Sequence, residues 1–268
     1  MRALRLAKGL SREEAGHPIR ASESKISRME LGRVGFKERD VADLLTLYGV
    51  EDLEERDRMF TLLREANAPS WWQAFGDVDA WFQSYLDLER AAELIRAYEI
   101  QFVPGLLQTE AYARAVISLG YGKGTSEEVE RRVRLRVART QLLRQPDAPR
   151  MWVVLDEAVL RRAIGGRVVL REQIESLIEA ARMPNVQIQV LPFDSGGHAG
   201  AGGAFSILRF PYRELSDVVF IEHLTSGIYL DRAEDVDKYA EAIGQLFIEA
   251  APLSRTDEIL NRLRDDLA

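Results

Sequence analysis

The run Ser22-Glu23-Ser24-Lys25-Ile26-Ser27-Arg28-Met29 places two apolar side chains three apart and leaves polar ones around the rest of the turn. Ser22 is a good N-cap for such a helix, Glu23 and Ser24 open its first turn, and Gly32 stops it. Lys25, Ser27 and Arg28 then project away from Ile26 and Met29. A helix this short and this polar on its outer side gains little by burying that side, so it is suited to touch another molecule. Arginine can fork onto O6 and N7 of guanine, serine can donate or accept at a base edge, and glutamate can accept from N4 of cytosine. Lysine can neutralise a phosphate without reading sequence. The plain alternative is a solvated face.

A second stretch with chemical potential is the loop 194–203, DSGGHAGAGG, which holds five glycines and His198. It matches neither of the usual phosphate-cradling patterns, and it sits between two strands with no helix N-terminus to hold an anion. A mobile lid or a long hairpin loop is the expectation. As a general base His198 needs a partner, and Asp156, Glu157, Glu222 and His223 are available, but nothing in their spacing orders them. Trp152, Asp156, Glu157, His198 and Glu222 are therefore read as either a ligand- or partner-sensing pocket or structural residues. With three histidines (17, 198 and 223), no cysteine and no paired ligand spacing, no metal site, no cofactor and no enzymatic activity are expected.

The elements that must position these residues are bounded by composition. The chain has 268 residues, 46% hydrophobic and 29% charged, enough for one large or two modest domains. No apolar run approaches a membrane span and no signal peptide is present, so a cytoplasmic, nucleoid-associated protein is expected. The net charge of −7 is unevenly divided: residues 1–39 carry ten Lys/Arg against five Glu, so a head of about +5 precedes a body of about −12. Phosphate contacts need local positive charge only.

In chain order, residues 2–8 form a helix ending at Gly9, and Ser11 with Glu14 forms a capping box for the next. Pro18 falls where a helix interior is wanted. The helices Glu38–Val50, ended by Gly49, and Glu51–Ala68, stopped by Pro69, complete the head. Read together, residues 11–33 resemble the Xre-type helix-turn-helix of bacterial repressors, whose recognition helix follows a Ser-x-x-x-Ile-Ser-Arg-hydrophobic-Glu-x-Gly run. The resemblance implies base-facing roles for Glu23, Ser24 and Arg28, groove-side positions for Lys25 and Ser27, and phosphate contacts for Arg33 and Lys37, with the N-cap Ser22 also in the DNA-binding set. Three departures stand out: a first helix short enough that the true start codon is expected upstream unless the fold manages with less, Pro18 inside the second helix, and Arg20 where the family usually has Gly.

Residues 69–98 read as an aromatic-rich connection and a helix over Ala80–Tyr98. Trp71, Trp72, Phe75, Trp81, Phe82 and Tyr85 lack interleaved Lys or Arg, so a packing seam or a pocket wall is expected rather than base stacking. Six arginines on the helix Ser126–Gln145 (131, 132, 134, 136, 139 and 144) are either a second binding surface or a solvated face. Strands are expected at Met151–Leu155, Val186–Pro192, Ala204–Phe210, Val218–His223 and Ile228–Leu230. The fold class is thus a mainly α head (1–68) plus an α+β domain (99–268) with a mixed sheet of about three to five strands.

The segments YEIQFVPGLLQTEAYARAV, VLDEAVLRRAIGG, VQIQVLPFDSGGHAGAGGAFSILRFP and IYLDRAEDVDKY closely resemble the large C-terminal domain that follows Xre-type heads in actinobacterial, antitoxin-like transcriptional regulators. That domain has no settled activity, and some members sit beside a small partner protein. The reading is a sequence-specific regulator that binds a palindromic DNA operator as a homodimer, its body sensing a small-molecule effector or a small partner protein. The alternatives are an antitoxin-like interaction module with weak or no DNA binding, and an enzyme working near His198.

Overall fold

The computed structural model describes residues 1–30, 35–68, 70–120, 125–212 and 215–267. It contains two compact units, residues 1–70 and 71–268. Among the described residues no helix is long and apolar enough to cross a membrane.

The first unit is all helical: α1 (Arg2–Ala7), α2 (Arg12–Gly16), α3 (Glu23–Glu30), α4 (Glu38–Tyr48) and α5 (Leu53–Asn67). Ser11 and Glu14 form the expected capping box on α2, each satisfying the other's backbone N–H. Pro18 does not break α2, because α2 ends at Gly16, two residues before it. The connection to α3 is tight: a Cβ on Gly16 would lie 2.2 Å from the Ala21 carbonyl oxygen, so only glycine fits there. Arg20 takes φ +51, the left-handed turn position that glycine fills without strain. Ala15, Ile19, Ile26, Met29, Val41, Leu44, Leu45 and Tyr48 close a small core.

The second unit is built on a six-stranded mixed sheet of order β3-β2-β1-β4-β5-β6. Its strands are β1 (Leu94–Glu99), β2 (Arg150–Asp156), β3 (Val186–Leu191), β4 (Phe205–Arg209), β5 (Val218–Glu222) and β6 (Gly227–Leu230). β1, β2 and β3 are parallel, and β4, β5 and β6 add antiparallel pairings. One sheet face packs on α6 (Ala80–Ala91), α7 (Glu110–Gly120), α10 (Arg167–Ala180) and α12 (Thr256–Asp265). The other face is covered by α11 (Ala233–Glu249). The helices α8 (Ser126–Thr140) and α9 (Glu157–Arg161) complete the set.

Three expectations are corrected. The helix read over residues 80–98 ends at Ala91, and Leu94–Glu99 is instead the strand between β2 and β4. Ile95 and Ala97 fit either period, and hydrogen-bonded neighbours on both sides decide for the strand. The aromatic stretch is part of the second unit: Trp72 is buried with Leu86 and Leu135, and its indole N–H donates to Asp87 at 2.9 Å. The arginines of α8 do not form one solvated face. Arg139 is buried and forks onto Glu89 at 2.8 and 3.0 Å, and Arg131 donates to the Phe75 and Asp77 carbonyls. Arg136 donates to Gln108 at 3.0 Å. Burial, then the nearby Arg139 charge, pushes the Arg136 guanidinium down to about 10.

Candidate functional site

The strongest candidate is the outer side of α3. Ile26 and Met29 are each 2% exposed and anchor the helix to the core of the first unit. Ser22 caps it, its Oγ accepting from the Lys25 N–H at 3.2 Å and lying 3.1 Å from Ser24 Oγ. Glu23, Ser24 and Arg28 are exposed and Ser27 is half-buried beside them. Arg28 Nε donates to the Ser24 carbonyl at 3.3 Å, which leaves its terminal nitrogens without a partner among the described residues. The result is one continuous polar surface over the first two turns of a helix whose other side is sealed.

Lys25 is placed differently from a free phosphate ligand, because its ammonium lies 3.6 Å from Asp40 on α4. Lys37 is exposed at the N-cap of α4. Arg33 and the helix-stopping Gly32 lie outside the described residues.

What fixes the angle of α3 is a feature that the sequence reading missed. Glu30, at the end of α3, accepts from Arg5 of α1 at 2.6 and 3.1 Å and from Arg12 of α2 at 3.3 Å. The Arg5 and Glu30 side chains are 6% and 4% exposed. Burial alone would raise the Glu30 carboxyl, but the hydrogen bonds and charges of the two arginines hold it below the usual carboxylate value. Three helices are thereby tied at one point. The available signal was position: Glu30 lies four residues after Ile26, on the buried flank of the helix.

The five residues read as a possible sensing pocket are only partly brought together. Asp156 caps α9 through the Ala158 N–H at 2.8 Å and also reaches the Tyr98 hydroxyl. His198 Nε2 lies 3.4 Å from that hydroxyl, while its Nδ1 accepts from Gly200 N–H at 3.1 Å. Tyr98 thus joins Asp156 to the glycine-rich loop, and burial followed by the Asp156 charge pushes its phenol well above the usual value. Glu157 holds the start of the same loop, accepting from Phe193 N–H at 3.1 Å. Trp152 stacks on Phe247 at 3.9 Å and donates to Gln189. Glu222 ends β5 and acts on Glu99, whose carboxyl is pushed up to about 8 by burial first and by the Glu222 charge second.

A concavity of about 430 Å³ is lined by Glu13, Glu14, His17, Pro18 and Leu47, and a smaller one of about 60 Å³ by residues including Trp71, Glu89 and Arg139. Neither includes any of those five residues. Among the described residues no group of three or more histidine, aspartate or glutamate side chains is placed to hold a metal ion.

Two family models match the chain. A model described as helix-turn-helix domain matches residues 1–59, and one described as domain of unknown function (DUF5753) matches residues 82–262. The chain belongs to the DUF5753 family. No curated protein and no solved structure matches it. The helix-turn-helix match covers α1 to α4 and marks this DUF5753 protein as a DNA-binding regulator. The tightly joined pair α2 and α3 lies inside that match. The DUF5753 segment begins inside α6 and takes in the whole six-stranded sheet.

Proposed function

We propose that this protein is a sequence-specific transcriptional regulator that reads double-stranded DNA with α3. The supporting observation is the exposed set Ser22, Glu23, Ser24 and Arg28, with half-buried Ser27 beside it, on a helix clamped from behind by Ile26, Met29 and Glu30. Arg28 and the serines face base edges, while Lys37 and Arg33 meet phosphates. Lys25 leaves Asp40 for a phosphate when DNA arrives. One short helix reads too few base pairs for useful discrimination, so the protein acts as a homodimer on a palindromic operator. The acidic DUF5753 body regulates the head through an effector or a partner protein and is not itself an enzyme.

The test is fluorescence anisotropy of the full chain on DNA from upstream of its own gene, across a salt series, with Arg28→Ala in parallel. The expected result is salt-dependent binding that Arg28→Ala weakens by about 1–3 kcal/mol on the operator and much less on unrelated DNA. Equal losses on both DNAs would reduce Arg28 to a phosphate contact. No binding by a folded chain would overturn the reading.

A further inference from the structure

The two edges of the sheet are treated differently by the chain. The outer edge of β3 is closed from within: Ala251 N–H donates to the Val190 carbonyl at 2.9 Å, and Thr256 Oγ1 donates to that of Ile188 at 2.6 Å. Among the described residues the outer edge of β6 has no such cover. At the β5–β6 turn His223 N–H donates to the Ser226 carbonyl at 2.8 Å, and the register continues as Ile221 opposite Ile228 and Val219 opposite Leu230. Antiparallel alternation then directs the backbone groups of Ile228 and Leu230 toward β5 and those of Gly227 and Tyr229 outward. Among the described residues nothing hydrogen-bonds these four outward groups.

The composition of this edge is equally unusual. Leu224 is 94% exposed and Ile228 is 42% exposed. From Leu224 to Leu230 there is no charged residue and no proline. Exposed edges are normally blunted by lysine, proline or a bulge, because a bare edge templates further pairing. β6 is short, at four residues, but it carries no lysine, proline or bulge, whereas β3 is covered.

We infer that β6 is a self-pairing interface, on which a second copy of this chain adds its own β6 antiparallel about a two-fold axis at Ile228. In that register Gly227 lies opposite the partner's Tyr229, and Tyr229 opposite the partner's Gly227. The four outward groups on each copy are then all satisfied by the other copy. Ile228 meets its equivalent across the axis, extending the apolar row that it shares with Ile221 and Leu230 on the α11 side of the sheet. A two-fold interface requires such self-complementarity, and the absence of charge along the edge means that no like charges face each other across the ladder. The ladder is short, so the dimer is concentration-dependent. The inference goes beyond the DNA-reading proposal and does not depend on it.

The chain contains no cysteine, which makes a register-specific test available. In the full-length protein Ile228→Cys would place two thiols in a non-hydrogen-bonded antiparallel pair with Cα atoms about 4.5 Å apart, within disulfide reach. The expected result is a covalent dimer under mild oxidation, reversed by reductant. Leu253→Cys, at a position also 42% exposed but near the covered edge, stays monomeric. In sedimentation, Ile228→Lys is expected to weaken the dimer about tenfold or more, and Ile228→Val to leave it unchanged. A dimer that neither cross-links through Ile228→Cys nor responds to Ile228→Lys would overturn the β6 assignment while leaving dimerisation itself intact. A monomer at every concentration would overturn both. Operator binding is measured separately, so either failure is distinguishable from failure of DNA recognition.

Discussion

Replacing Glu30 by glutamine keeps the shape of the side chain and removes its charge. Arg5, with its side chain 6% exposed, would be left with one neutral acceptor where it now has two charged oxygens at 2.6 and 3.1 Å. Removing one partner of a buried pair costs about 3–5 kcal/mol, and the lower end applies because the glutamine oxygen still accepts one bond. A unit of 70 residues rarely holds more than about 3–5 kcal/mol in total, so about 0–2 kcal/mol would remain and between a few per cent and half of the first unit would be unfolded. Amide hydrogen exchange on the full chain reads this directly. Protection in α1 to α3 should fall by about 100-fold, since each 1.4 kcal/mol is about a factor of ten, while β2 serves as an unaffected internal standard. The double replacement Arg5→Met with Glu30→Leu should recover most of the loss, because an apolar pair of similar volume needs no counter-charge. Acidification should mimic the single variant: the carboxyl is held below 4.5, so its contribution is present above that pH and is lost as pH falls through the lowered value. Unchanged exchange in Glu30→Gln, or no recovery in the double variant, would refute the clamp.

Two further outcomes follow from local geometry. Glu99 titrates at about 8 when folded against 4.5 when unfolded, so the folded body loses stability as pH rises from 4.5 to 8 and no further above it. Because solvent reaches the half-buried side chain, the loss by pH 8 is on the order of 2 kcal/mol; Glu99→Gln should flatten the pH dependence of chemical denaturation, and an unchanged slope would exclude Glu99 as its source. Arg20→Gly relieves φ +51 and should stabilise the first unit by about 0.5–1 kcal/mol, the strain relief exceeding the added freedom of the unfolded chain. A lowered melting temperature for that unit would show that the arginine side chain contributes more than its backbone costs.

The sequence by itself determined the features whose signal is local. Ser11 with Glu14, Ser22 and Gly49 end helices where their backbone chemistry requires, and the strands from β2 to β6 alternate or run apolar over their own length. The anchoring of α3 by Ile26 and Met29 was legible for the same reason: a helical face is a periodicity of single residues. Tertiary structure decided everything that depends on which group lies opposite. β1 is a strand because β2 and β4 pair with it, although its residues also suit a helix. Arg131, Arg136 and Arg139 of α8 turn inward because the carbonyls of Phe75 and Asp77, Gln108 and Glu89 wait there, while Arg134 stays exposed. Lys25 finds Asp40, Tyr98 gathers Asp156 and His198, and Trp152 and Glu222 go elsewhere. Nor could spacing reveal that one sheet edge is covered and the other bare, since the covering segment lies some 60 residues from the strand that it covers. Periodicity records how a residue sits in its own element, whereas an ion pair, a strand order or an open edge is a relation between elements that only the folded chain brings into contact.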